Sequence, residues 1–171
     1  ALHHHCVILF RGQHLTEEAQ VAFATRLGEL GRVLHNHKGA SKHHEGVMFI
    51  SNIRENGELI GALPDGEMMF HSDQCYVERP TAITLLYAME IPSKGGNTLF
   101  ANMYAAYEAL SPALKTYLEG KQALNVYDYD VSQTLKGPVR PEAPRWIHPV
   151  VRTHPVTGRK ALFVNRLMTD S

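Results

Sequence analysis

The apolar stretches of this chain are short, and turn residues interrupt each of them. Apolar, β-branched and aromatic residues cluster at positions 7–10, 47–53, 68–76, 81–91, 97–101, 124–131, 150–154 and 161–165, which reads as a series of brief strands. Arg11-Gly12-Gln13, Glu55-Asn56-Gly57 and Gly95-Gly96 punctuate the series. Val156-Thr157-Gly158 sets up a hairpin between the last two runs. Loops are expected over 57–66 and 134–144. Helical spacing occurs in two places. Thr16 is placed to cap a helix that runs through Ala19, Phe23, Leu27 and Leu30, expected core residues, and stops at Gly31. A second helical stretch covers 103–118, restarts at Ser111-Pro112 and closes at Gly120. Many short strands with few helices argue against alternating βαβ units. They predict a mainly β fold with flanking helices, a β-sandwich or jelly roll.

The 171 residues suit a single domain, 1–171, with no repeat or linker. Lys and Arg total 17, as do Asp and Glu, so no global charge favours a nucleic-acid or anionic-membrane partner. No apolar run is long enough to span a bilayer, and the first residues do not read as a signal peptide. Cys6 and Cys75 form neither a disulfide framework nor a zinc-type pair, and a reducing cytoplasm is the expected setting.

Eleven histidines are the unusual count. His3-His4-His5 runs into Cys6-Val7-Ile8-Leu9-Phe10 and reads as helix-to-strand sequence with no metal role. His43-His44 reads as solvated loop. His71 and Asp73 differ, because side chains two apart on a strand share one face. An imidazole and a carboxylate so placed can grip one metal as part of a two-histidine, one-carboxylate facial triad. That triad leaves open positions on Fe(II). Spacing alone does not separate such a pair from a surface histidine beside an aspartate.

The surrounding blocks carry more weight. Met69-Phe70-His71-Ser72-Asp73, Arg79-Pro80-Thr81, and Glu90-Ile91-Pro92-Ser93-Lys94-Gly95-Gly96-Asn97-Thr98-Leu99-Phe100 come in order. Ala105-Ala106-Tyr107-Glu108-Ala109-Leu110-Ser111 follows. With Phe10-Arg11-Gly12-Gln13 before them and the run from His148 to Asn165 after, this sequence resembles the taurine / 2,4-dichlorophenoxyacetate dioxygenase family over nearly its whole length.

The resemblance implies a double-stranded β-helix with Fe(II), 2-oxoglutarate and dioxygen. The implied reaction hydroxylates a small organic acid of sulfonate, sulfate ester or aryloxyalkanoate type and releases succinate and CO2. His71 and Asp73 match the first two iron ligands and catalytic positions. Thr98 matches a threonine that helps hold a 2-oxoglutarate carboxylate, although alone it reads as a β-branched strand residue. Met168 falls where relatives place a substrate-pocket side chain, and apolar packing explains it nearly as well. Met68, just before the pair, is expected to border an apolar substrate pocket. Relatives are often dimers or tetramers, so a homo-oligomer is expected.

The family pattern also holds a third ligand, a histidine, and an arginine for the far carboxylate of 2-oxoglutarate. Both are expected beyond Ser171, and a preceding strand before Ala1, so the fold reads as incomplete at both ends and as inactive in this portion alone. His148 with Arg159 mimics the spacing of the missing pair, but the run from 148 to 165 matches a more central family segment whose histidines are not ligands. Two other readings stay open: a non-catalytic jelly-roll or cupin-like binding module, and a zinc hydrolase using His71, Asp73 and His148.

Overall fold

The computed structural model describes residues 1–31, 44, 46–62, 69–128 and 139–171. They fall into two compact units, one of Ala1–Leu9, Met68–Ala82 and Pro92–Ser171, the other of Phe10–Glu67 and Ile83–Ile91.

In the second unit, helix α2 spans Glu17–Thr25, with α1 (Leu2–His5) belonging to the first. The Thr16 hydroxyl accepts from Ala19 N–H at 3.2 Å, capping α2, and Glu17 and Glu18 occupy its positive first turn. The helix ends at Arg26, short of Gly31, so Leu27 and Leu30 lie beyond it. Phe23 and Leu27 are exposed and are not core; the helix has no strong apolar stripe to bury. A two-residue hairpin joins β1 (Arg54–Glu55) to β2 (Glu58–Leu59), so the expected loop begins with a strand. Asn56 at φ 51° and Gly57 at φ 81° make the type I′ turn that matches strand twist. In the 47–53 run, Ile50 forms an isolated bridge with Ala62 in place of an extended ladder. Tyr87 links to the start of the unit, its phenol oxygen accepting from Leu15 N–H at 3.2 Å.

The first unit holds the core. Helices α3 (Met103–Glu108) and α4 (Pro112–Leu118) are separated by the Ser111 cap, whose hydroxyl accepts from Leu114 N–H, with Pro112 at the first helical position. Strand β3 (Gln122–Val126) pairs antiparallel with β4 (Arg145–Pro149), Leu124 opposite Ile147. On its other edge, the C-terminal stretch lies alongside: Val126 N–H donates to Met168 O at 2.8 Å and Asp170 N–H to Leu124 O at 2.9 Å. Ala123, Asn125, Val126, His148, Leu167 and Met168 are buried in this layer. Strands β5 (Val151–Thr153) and β6 (Lys160–Leu162) form the expected hairpin, and α3 packs on β6.

Several runs read as strands carry no ladder. Residues 7–10 are exposed, with Leu9 at 70%, and 81–91 and 97–101 form no strand ladder among the described residues. A strand exists only where its N–H and C=O groups meet another strand, which composition does not determine. The described residues therefore show a mixture of helices and strands, with no closed barrel among them. No helix among them is long and apolar enough to cross a membrane.

Burial separates two leucines that composition treats alike. Leu167→Ala, at a site 2% exposed, is predicted to lower unfolding free energy by about 3 kcal/mol. Leu9→Ala is predicted to change it by less than about 0.5 kcal/mol in the same denaturant titration.

Candidate metal centre

His71 and Asp73 come together, with Nε2 to Oδ1 at 3.2 Å. They do so at a turn and not along a continuous strand. The chain arrives without ladder pairing through Phe70 and reverses over 73–76, where Cys75 N–H donates to Ser72 O at 3.3 Å and Gln74 takes a left-handed φ of 52°. A non-glycine residue there costs about 1–2 kcal/mol, so the surroundings must hold it.

They hold it at several points. The Cys75 side chain is fully buried, its thiol donating to Met168 Sδ at 3.3 Å. Tyr76 stacks on Tyr127 with centroids 4.6 Å apart, and burial beside Tyr127 pushes its phenol pKa up. Gln74 Oε1 accepts from the Thr81 hydroxyl at 2.8 Å. His148, buried in β4, donates from Nε2 to Val77 O at 2.9 Å.

His71 Nδ1 lies 2.9 Å from Met69 O. With its proton on Nδ1 donated to that carbonyl, the ring presents the Nε2 lone pair toward Asp73, the orientation that a hydrogen bond at the far ring nitrogen imposes on metal-bound imidazoles. Two acceptors then face each other across 3.2 Å, and a positive charge between them is favoured. The same arrangement favours a proton there: the Asp73 carboxylate raises the His71 pKa, outweighing partial burial, with help from Met69 O. A divalent cation suits the same place, and one nitrogen with one oxygen donor suits Fe(II). The ring is partly exposed, at 23%, and the carboxylate more so, at 45%, so the site is open to a small ligand.

The other expected positions are exposed, buried beside the turn, or outside the description. Thr98 is exposed, in a segment without ladder pairing. Met168 is buried against Cys75, two residues past Asp73. Met68 and His43 lie outside the described residues. Arg159 is ion-paired to Glu108 at 2.7 Å and covers the Tyr104 ring at 4.2 Å, so its charge is already matched. Among the described residues no group of three His, Cys, Asp or Glu side chains is arranged to hold a metal. A cleft of about 280 Å3 lies between α4 and the β5–β6 hairpin, lined by Lys115, Glu119 and Lys160 among others; neither His71 nor Asp73 lines it. The contact of Asn165 with Cys75 at the turn joins residues that nothing in the local sequence pairs. The only sequence signal was the position of Cys75 two residues past Asp73.

The family model described as taurine catabolism dioxygenase TauD, TfdA family matches residues 1–171. The chain belongs to this family. Pentalenolactone F synthase of Streptomyces avermitilis is 33% identical over 188 residues, covering 99% of this chain and 61% of that protein. The alpha-ketoglutarate-dependent 2,4-dichlorophenoxyacetate dioxygenase of Cupriavidus pinatubonensis is 33% identical over 176 residues, covering 92% of this chain and 59% of the relative. Among solved structures, a taurine dioxygenase from Burkholderia xenovorans superposes with a TM-score of 0.63 at 29% identity, over 95% of this chain and 50% of that one. AAD-2 in complex with Mn(II) and N-oxalylglycine superposes at 0.65 and 27% identity, over 93% and 54%. The chain thus spans about three fifths of these curated relatives and about half of the solved structures.

Burial lowers the pKa of His148, outweighing the hydrogen bond to Val77 O. A histidine whose folded pKa is depressed takes up its proton first in the unfolded chain. Its stabilising contribution is present above the ordinary histidine value of 6.5 and is lost as pH falls through that value toward the folded pKa. His148→Gln keeps a donor and does not titrate. Denaturant titrations from pH 8 to pH 5 are predicted to show wild type losing stability relative to this variant as pH falls; a constant difference contradicts the assignment.

Proposed function

We propose that this chain is a single dioxygenase domain, 1–171, of an Fe(II)- and 2-oxoglutarate-dependent enzyme with a double-stranded β-helix (jelly-roll) fold. The observation that carries the reading is the His71–Asp73 pair, with Nδ1 held by Met69 O and Nε2 aimed at the carboxylate. His71 and Asp73 are the proposed iron ligands, Thr98 a 2-oxoglutarate contact, and Met68 and Met168 residues that border the substrate. Held by His71 and Asp73, Fe(II) would supply the activation of dioxygen by which 2-oxoglutarate is oxidised to succinate and CO2, with one oxygen atom going to succinate and the other to a substrate C–H bond. The chain's own part is to hold the two donors on a clamped turn and to admit the cosubstrate from the exposed side of Asp73.

The substrate class proposed is a small organic acid: a sulfonate, a sulfate ester or an aryloxyalkanoate. The support is that relatives about one third identical are named for 2,4-dichlorophenoxyacetate and for sulfate esters. Met68 and Met69, just before His71 in the sequence, favour an apolar or aromatic group on that acid. A homodimer or homotetramer is the proposed assembly. A reducing cytoplasm suits the buried free thiol of Cys75.

The test uses the intact protein. Anaerobic Fe(II) with 2-oxoglutarate is expected to give a weak visible charge-transfer band that His71→Ala and Asp73→Ala abolish. Aerobic turnover with a panel of sulfonates, sulfate esters and aryloxy acids is expected to form one succinate per hydroxylated product, with both variants at background. A wild-type protein indistinguishable from His71→Ala overturns the reading. Metal binding without 2-oxoglutarate consumption favours a binding module instead.

A further inference from the structure

The proposed chemistry does not use Asn165, yet this side chain bridges two turns. Its Oδ1 accepts from Met168 N–H at 2.7 Å, closing the turn that ends the chain's buried layer. Its Nδ2 donates to Cys75 Sγ at 3.6 Å, while Met168 Sδ touches the same sulfur at 3.3 Å. Its backbone N–H donates to Thr169 Oγ1 at 3.0 Å, and that hydroxyl donates to Oδ1 of the fully buried Asn125 in β3 at 2.9 Å. Cys75 in turn closes the reversal that carries Asp73, through its N–H on Ser72 O. A connected path of hydrogen bonds thus runs from β3 through Asn165 to the sulfur two residues past the proposed ligand.

We infer that Asn165 is a positioning residue for the metal pair. Acting through Cys75, it fixes the turn on which Asp73 stands and so sets how tightly the pair holds a divalent cation. The inference rests on reading His71 and Asp73 as metal ligands. Its physical basis is that a ligand's affinity for metal depends on how well its supporting contacts hold it, with losses of about 10–100-fold when such a contact is removed. A backbone in the left-handed region, as at Gln74, relies more than most on side-chain anchors to stay in one geometry.

Two variants cut the bridge from opposite ends. Asn165→Ser leaves a hydroxyl able to accept from Met168 N–H but too short to reach Cys75. Cys75→Ala removes the other partner, and reads the same contact if Asn165→Ser does not fold. Co(II) titrations of the intact protein, followed by visible absorption, are expected to show each variant binding about tenfold more weakly with an altered Co(II) spectrum. The double variant is expected to bind no more weakly than either single one, because both remove one interaction. Wild-type Co(II) affinity in both single variants overturns the inference. So do additive losses in the double variant, which place the effect of Asn165 elsewhere. A wild-type protein that binds no Co(II), or binds it as well after His71→Ala, refutes the metal-pair reading and the inference with it. Loss of Co(II) on His71→Ala but not on Asn165→Ser refutes the inference alone.

Discussion

Burial of the Cys75 side chain is the contact on which the candidate centre depends. The chain turns back on itself immediately after Asp73, with Gln74 in a left-handed conformation that an L side chain adopts only under constraint. The constraint is packing: a sulfur buried against Met168, a tyrosine stacked on Tyr127, and a buried histidine donating to Val77 O. Each contact comes from a segment far away in sequence, so the local geometry of the pair is a product of the surrounding fold. In the proposed reading, the donors are anchored on the buried side and open where Asp73 faces outward, as a metal that accepts a cosubstrate requires.

The electrostatics follow from the same geometry. Met69 O takes the Nδ1 proton, leaving Nε2 and a carboxylate oxygen facing each other. Neither is satisfied by the other unless positive charge lies between them. The raised His71 pKa is the protonated answer to that arrangement, and a divalent cation is the metallated one. In the proposed reading, proton and metal compete for that one place.

Local features of the fold were legible in the sequence, and non-local ones were not. The Thr16 and Ser111 caps, Pro112 at its helix start, the Asn56-Gly57 turn and the hairpin around Gly158 all act within a few residues, and all stand where the sequence puts them. Strand β4 went unrecognised because Arg145–Pro149 lacks a clean alternation and is specified by its pairing with β3. The 7–10 and 81–91 runs show the converse: strand-like composition with no ladder partner among the described residues. At the site, the His71–Asp73 pair was visible because its partners lie two apart, but the strand geometry used to justify it was not the one found. The roles of Cys75, His148 and Asn165 were hidden, since each depends on contacts across seventy residues or more.

The most direct measurement is anomalous diffraction at the manganese edge, from crystals of the intact protein grown anaerobically with Mn(II) and N-oxalylglycine. The account predicts one strong peak within about 2.2 Å of both His71 Nε2 and an Asp73 carboxylate oxygen, with Nδ1 still bonded to Met69 O. A peak coordinated elsewhere, with His71 and Asp73 joined by their own hydrogen bond, contradicts it.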